Sequence, residues 1–119
     1  MIYRISKEFE FSASHQLMRL PEDHQCHRLH GHNYKVLVEL QGSMLNEFGF
    51  VRDYGDLKPF KTYLDSTFDH RHLNDLMDNP TAEALALHFW VWLGDHYPEL
   101  YRVGVSETPK TWAYCWVEK

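Results

Sequence analysis

Apolar and polar residues alternate in four stretches of the chain, two in its first third and two near its end. Because successive side chains of a β-strand point to opposite faces, such alternation predicts strands that each bury one face. The predicted strands cover residues 2–14, about 30–41, about 101–107 and 111–117. The apolar faces of the first two carry Tyr3, Ile5, Phe9, Phe11 and Ala13, and Tyr34, Val36, Val38 and Leu40.

Between the two pairs of strands, apolar residues recur at the spacing of helices. Asp53 can cap a helix through about residue 67, with Leu57, Phe60 and Leu64 buried. After a polar connection, Thr81 can cap a second helix whose apolar side carries Leu85, Phe89, Trp92 and Leu93. The order β-β-α-α-β-β predicts one α+β domain over residues 1–119, with two helices on one face of a four-stranded antiparallel sheet.

Histidine is concentrated near the start of the chain, where five of the nine histidines lie between residues 15 and 32. His30 and His32 share one face of the second predicted strand, with backbones about 7 Å apart. Two rings at that spacing can reach one ion, and His15 becomes a third ligand if the first two strands pair. Three histidines with an open fourth position are typical of catalytic zinc. The residues alone leave open an ordinary surface or core role.

Cys26 lies in a polar loop four positions before His30. A thiol beside a dication and cationic side chains is expected to be reactive. Two functional interpretations remain open from the spacing: Cys26 is the fourth ligand of a closed zinc site, or it is a base or nucleophile outside the metal. The other cysteine, Cys115, shares a strand face with Ala113 and Val117, which favours a buried and inert thiol.

Two further groups of residues suggest chemistry, although each also has an ordinary explanation. Asp69 beside His70 can orient the imidazole for proton transfer, but the surrounding loop is simply rich in histidine. Glu107 shares a strand face with Val103 and Val105. Its two oxygens could accept a pair of parallel N–H bonds from a ligand, or it could be a strand-end glutamate in water.

The composition and charge of the chain limit the classes of protein to which it can belong. Hydrophobic residues make up 44% of the chain and aromatic residues 15%, which is enough for a core without disulfides. The net charge of -5 and the absence of a Lys/Arg-rich run argue against nucleic acid or an anionic membrane as partner. No apolar stretch is long enough to span a membrane, and the first residues lack the apolar middle of a signal peptide. We therefore expect a cytoplasmic location.

Six segments of the chain form a distinctive set, in the order FSASH (11–15), CHRLHGHNY (26–34), FVRDYGDLK (50–58), FDHRHLN (68–74), NPTAEALA (79–86) and SET (106–108). Together they resemble the 6-pyruvoyltetrahydropterin synthase / 6-carboxytetrahydropterin synthase family. The resemblance spans nearly the whole chain and implies the tunnelling fold, with four antiparallel strands and two helices in each subunit. It also implies trimers whose sheets close into a barrel, stacked in pairs as a homohexamer with active sites at subunit interfaces.

The resemblance also implies residue roles. His15, His30 and His32 match the zinc ligands, Cys26 the catalytic thiol, Asp69 and His70 the rest of the proton-transfer triad, Glu107 the pterin anchor and Thr81 the pterin pocket. Three residues separate Cys26 from the HGH motif, as in the 6-carboxytetrahydropterin synthases of the queuosine pathway. The implied reaction converts 7,8-dihydroneopterin triphosphate to 6-carboxy-5,6,7,8-tetrahydropterin, acetaldehyde and triphosphate. The alternatives are 6-pyruvoyltetrahydropterin synthesis and a non-enzymatic zinc-stabilised binding module.

Overall fold

Five strands and two helices form the fold in a computed structural model that describes residues 1–118. Strands β1 and β2 come first, then helix α1, the short strand β3, helix α2 and strands β4 and β5. Short 3-10 turns precede β2 and α1 and follow β3. The bounds are β1 Tyr3–His15, β2 His30–Gly42, α1 Lys58–Thr67, β3 Arg71–His72, α2 Ala82–His96, β4 Leu100–Thr108 and β5 Thr111–Cys115.

The β1–β2 pair is the longest ladder in the sheet and fixes the site. The two strands are antiparallel along their whole length, from Tyr3 opposite Gly42 to His15 opposite His30. Directly opposite residues of such a pair project to the same face of the sheet. Phe11 lies opposite Tyr34, and Ala13 lies opposite His32. The register therefore aligns the apolar rows of both strands and continues them into the histidines.

Both helices pack on the apolar face of the sheet, as predicted. Phe60 of α1 meets Phe9 edge-on at 5.1 Å between ring centroids, and Phe89 of α2 meets Phe11 at 6.1 Å. Edge-to-face rings at these distances add to the free energy gained by burying apolar area. Thr81 caps α2 as expected, because its side chain accepts a hydrogen bond from the Ala84 N–H at 3.1 Å. No helix among residues 1–118 has both the length and the apolar character that crossing a membrane requires.

Helix α1 begins later than predicted. Asp53 does accept a hydrogen bond from the Gly55 N–H at 2.8 Å, but this bond caps a 3-10 turn over Tyr54–Leu57. The α-helix itself starts at Lys58, with Pro59 in its first turn. Proline fits there because the first N–H groups of a helix have no intrahelical partner. The expected cap at Asp53 is therefore confirmed, but the first turn after it is 3-10 rather than α-helical.

The sheet has five strands rather than the predicted four. The order is β3-β1-β2-β4-β5, and the additional strand is the two-residue β3. It pairs parallel to the outer edge of β1, with Ala13 opposite Arg71 and Ser14 opposite His72. The sequence predicts only a polar connection here, because two residues are too few to show alternation. The other four strands are antiparallel, as expected.

The sheet face turned away from the helices carries polar and aromatic contacts. Arg102 of β4 donates two hydrogen bonds to the Glu39 carboxylate of β2, at 2.7 and 2.8 Å. The Arg102 guanidinium also lies 4.2 Å from the centroid of the Tyr114 ring. That ring covers Gly104, so that a Cβ atom at this position would lie 2.6 Å from Tyr114 Cε1. Glycine is required here by the close approach of an aromatic side chain.

We expect Gly104→Ala to lower the free energy of unfolding by about 1–3 kcal/mol, because the added methyl group displaces the Tyr114 ring. Urea unfolding of both proteins measures the change. The matched control is Gly94→Ala in α2, where an added Cβ would meet nothing nearer than Leu100 Cδ2 at 3.9 Å. Helix propensity there favours alanine by up to about 1 kcal/mol. Equal stability of Gly104→Ala and wild type would show that Tyr114 moves aside freely.

Candidate metal centre

Three histidine rings converge where β1 ends and β2 begins. The ring centroids of His15 and His30 are 4.5 Å apart, those of His15 and His32 5.0 Å, and those of His30 and His32 4.8 Å. His15 is fully buried and the other two are half-buried. One nitrogen from each ring lies within 4.8 Å of the other two. The structure thus brings together the three residues that the sequence and the resemblance indicated as zinc ligands.

Two of these rings are oriented by backbone carbonyls. His15 Nδ1 lies 2.8 Å from the Pro80 carbonyl oxygen, and His30 Nδ1 lies 2.7 Å from that of Arg28. A carbonyl oxygen only accepts, so each Nδ1 must donate its hydrogen. In the neutral rings both Nε2 atoms then carry lone pairs, and these atoms face each other at 2.9 Å. Two lone pairs at this distance repel unless a proton or a metal cation lies between them.

The third ring favours a metal cation over a shared proton. His32 Nε2 is buried and has no hydrogen-bond partner. A proton between His15 and His30 would satisfy only the Nε2 atoms of those two rings, whereas a metal cation can accept an electron pair from each of the three rings. Zinc bound by nitrogen at about 2.0–2.1 Å in tetrahedral geometry separates its ligands by roughly 3.3 Å. The observed 2.9 Å between the Nε2 atoms is within a few tenths of an ångström of that value.

Burial also favours the metal-binding form of these side chains. Desolvation lowers the pKa of His15, even though the Pro80 carbonyl and the Glu107 charge act in the opposite direction. Desolvation likewise lowers the pKa of His32 against the opposing charge of Glu107. Metals bind the neutral imidazole, so a lowered pKa keeps the ligands available at neutral pH. The donor set therefore fits a zinc ion.

Glu107 reaches this centre from β4. One of its carboxylate oxygens lies 3.7 Å from His32 Nε2, and the side chain is only 24% exposed. The carboxylate therefore faces the histidines and is largely shielded from water. Tyr34 lies behind the histidines, with its ring stacked on Phe11 at 4.9 Å and edge-on to His32 at 5.4 Å. Burial, and then the Glu107 charge, raise the pKa of Tyr34, so its hydroxyl remains protonated.

Cys26 lies on a 3-10 turn, Gln25–His27, in the loop that joins β1 to β2. Its N–H donates to His24 Nδ1 at 3.0 Å, and its carbonyl oxygen accepts from the Leu17 N–H at 3.0 Å. The second bond holds the turn beside the chain just after His15. Among residues 1–118, the group of ligand atoms close enough to hold a metal contains the three histidines without Cys26. This geometry disfavours Cys26 as the fourth ligand of a closed site.

Asp69 and His70 form a pair at the edge of β1. Asp69 Oδ2 accepts from His70 Nδ1 at 2.9 Å, while Oδ1 accepts from the Ser12 N–H at 2.9 Å. The Ser12 bond, followed by the His70 bond, lowers the pKa of Asp69. The carboxylate is thus ionised and, because it can only accept, it fixes the His70 ring with a hydrogen on Nδ1. His70 adopts a positive φ of 59°, a conformation rare outside glycine.

His70 is mostly exposed and does not join the histidine cluster of its own chain. Its side chain is 82% exposed. It lines a cavity of about 480 Å³ together with Ser12, Ser14, His32 and Asn33. Strand alternation places Ser12, Ser14 and Asn33 on the face opposite the helices, whereas His15 and His30 face the helices. The Asp69–His70 pair therefore lies outside the cluster of three histidines, although His32 of that cluster lines the same cavity as His70.

The turn before α2 contributes a residue that the sequence does not reveal. The Pro80 carbonyl orients His15, and Thr81 immediately follows it as the helix cap. A backbone carbonyl carries no side-chain signal, so only the structure could identify this role. The Thr81 oxygen accepts from the Ala84 N–H, which leaves its own hydrogen available to a ligand. Thr81 thus follows directly in the chain after the residue whose carbonyl orients His15.

Loss of a residue that hydrogen-bonds to a metal ligand weakens metal binding by roughly 10–100-fold. We expect His32→Ala to weaken zinc binding by more than this. The reason is that the variant loses one of the three converging nitrogens. Competition with a chromogenic chelator measures the affinity. The control is His96→Ala, because His96 is exposed on α2 and stacks on Trp92 outside the cluster. Wild-type zinc affinity in His32→Ala would rule out this centre.

Known proteins place this architecture in one family. The model of the 6-pyruvoyl tetrahydropterin synthase family matches residues 4–118. A provisionally named 6-carboxy-5,6,7,8-tetrahydropterin synthase from Archaeoglobus fulgidus is 37% identical over 95% of this chain and 93% of its own length. The 6-carboxy-5,6,7,8-tetrahydropterin synthase of Synechocystis is 36% identical, covering 87% of this chain and 85% of that protein.

The fold comparison agrees with the sequence comparisons. A solved structure of Caenorhabditis elegans 6-pyruvoyl tetrahydropterin synthase matches with a TM-score of 0.86 at 27% identity, covering 99% of this chain and 97% of that one. The expected tunnelling fold is confirmed, apart from the additional strand β3. The chain belongs to the 6-pyruvoyl tetrahydropterin synthase family.

Proposed function

We propose that this protein is a zinc-dependent lyase that converts 7,8-dihydroneopterin triphosphate to 6-carboxy-5,6,7,8-tetrahydropterin, releasing acetaldehyde and triphosphate. The observation that carries the proposal is the convergence of three histidine nitrogens beside Glu107, in a chain whose relatives include named 6-carboxytetrahydropterin synthases. The spacing of three residues between Cys26 and the HGH motif favours the same product. The reaction belongs to queuosine biosynthesis.

His15, His30 and His32 hold the zinc ion in this proposal. When bound, zinc supplies a Lewis acid that acidifies hydroxyl groups on the side chain of the pterin. Cys26 acts as a base on carbon, outside the metal's ligands. The bond from Leu17 to the Cys26 carbonyl supports this role, because it fixes the thiol-bearing turn near the end of β1.

Asp69 and His70 carry out a second proton transfer, in addition to the one assigned to Cys26. The ionised Asp69 carboxylate holds the His70 ring, and the free Nε2 atom exchanges a proton with the substrate. Glu107 binds the 2-amino-pyrimidine edge of the pterin, because its two oxygens suit a pair of parallel N–H donors. Thr81 donates its hydroxyl hydrogen to the ligand while its oxygen continues to cap α2.

The active enzyme is a homohexamer, a dimer of trimers with sites at subunit interfaces. The exposure of His70 supports this assembly, because the side chain is free to meet a substrate bound by another copy. The substrate is a small pterin triphosphate, and neither nucleic acid nor a membrane is a partner, in agreement with the net charge of -5. The protein acts in the cytoplasm.

The rival activity is synthesis of 6-pyruvoyltetrahydropterin from the same substrate, the reaction for which the Caenorhabditis elegans structure is named. Incubating the zinc-loaded protein with 7,8-dihydroneopterin triphosphate and identifying the products by mass spectrometry separates the two. We expect 6-carboxytetrahydropterin together with acetaldehyde. A pyruvoyl product without acetaldehyde would overturn our assignment, and no turnover of any kind would favour the non-enzymatic binding module.

We expect Cys26→Ala to keep its zinc and to lose turnover, because the thiol lies outside the metal's ligands and serves as the base. Zinc content and product formation are measured on the same preparation. Cys115→Ala is the matched control, since that free cysteine lies half-buried on β5 and burial raises the pKa of its thiol. Loss of zinc from Cys26→Ala would instead indicate a closed site with four protein ligands.

A further inference from the structure

A row of hydrogen bonds joins residues 12–16 to residues 69–74, and we call this row the seam. At one end the His70 N–H donates to the Ser12 carbonyl at 2.6 Å, next to the bond from Ser12 to Asp69. In the middle, Ser14 Oγ and His72 Nδ1 lie 2.9 Å apart. The other end is closed by Asn74, two residues beyond the last paired residue of β3.

Asn74 takes the place of a strand partner where the ladder of β1 stops. The pairing with β2 ends at His15, so the peptide groups of Gln16 have no partner in the sheet. Asn74 Oδ1 accepts from the Gln16 N–H at 2.8 Å, and Asn74 Nδ2 donates to the Gln16 carbonyl at 2.8 Å. A carboxamide can satisfy both groups because it carries a donor and an acceptor in one plane, as a peptide does.

This bond pair acts on His15, the residue before Gln16. On one side His15 is held by its pairing with His30, and on the other side the chain is held by Asn74. The ring itself is fully buried and anchored to Pro80. Because a metal ligand must be held within about 0.5 Å of its working position, the backbone that carries His15 needs restraint on both sides.

The geometry points to Asn74 as a positioning residue of the metal centre, acting through the backbone of Gln16 on His15. The inference rests on the zinc site proposed above and adds a residue that does not touch the metal. Neither an aspartate nor a leucine of the same shape could replace it, since aspartate lacks the donor and leucine lacks both groups. Loss of the bond pair lets the end of β1 relax, so that the three nitrogens no longer converge.

The test compares Asn74→Ala with Asn46→Ala. Asn46 is a matched control because its Oδ1 also accepts two backbone N–H groups, those of Phe48 and Phe50, in an exposed loop away from the centre. Zinc affinity is measured on the metal-stripped proteins by competition with a chromogenic chelator, and their unfolding in urea is measured in parallel. We expect Asn74→Ala to bind zinc about 10–100-fold more weakly than wild type, and Asn46→Ala to bind it normally.

A second readout reports the geometry of the centre independently of affinity. The visible absorption of the cobalt-substituted protein depends on how the ligands are arranged around the metal. We expect the bands to change in Asn74→Ala and to remain unchanged in Asn46→Ala. Wild-type zinc affinity and unchanged cobalt bands in Asn74→Ala would overturn the inference, and so would equal losses of affinity in the two variants.

Failure of the role inferred for Asn74 can be distinguished from failure of the proposed reaction. If the wild-type protein binds zinc but forms no 6-carboxytetrahydropterin, the reaction is wrong while the role of Asn74 is still decided by the variants. If Asn74→Ala binds zinc as wild type does and the wild-type product is correct, only the role of Asn74 fails.

Discussion

The metal centre depends on one electrostatic constraint, the pair of facing lone pairs on His15 and His30. Each ring donates its Nδ1 hydrogen to a backbone carbonyl, so the two Nε2 atoms meet at 2.9 Å as acceptors. The strand register creates this meeting, because it sets His15 opposite His30 and brings the unpartnered His32 nitrogen alongside. A cation bound by all three nitrogens removes the repulsion and satisfies the buried atom.

The seam explains how one short segment serves two parts of the site. Residues 69–74 lie along the outer edge of β1, where Ser12 holds Asp69 and His70, and Asn74 holds the chain after His15. Strand β3 is the regular part of this contact. A displacement of the segment would therefore disturb both the Asp69–His70 pair and His15, the fully buried histidine. The positive φ of His70 is tolerated because these bonds determine its position on both sides.

Alternation along the strands is enough to predict much of the site. It places His30 and His32 on one face, and it places Glu107 in a buried row, which the 3.7 Å contact with His32 supports. It cannot establish that β1 pairs with β2, so His15 enters through the family resemblance. Strand β3 has only two residues and no periodicity, and Pro80 acts through a carbonyl. Asn74 acts on a backbone, so no pattern of residue types marks it.

The central claim is that zinc is held by three histidines while Cys26 stays outside its ligands. X-ray absorption at the zinc edge of the zinc-loaded protein tests this most directly. It measures the distances from zinc to its ligand atoms, and sulfur ligands lie farther from zinc than nitrogen or oxygen ligands. We expect only nitrogen or oxygen neighbours, at about 2.0–2.1 Å. A sulfur neighbour at about 2.3 Å would contradict the claim, because Cys26 would then be a ligand and could not serve as the base.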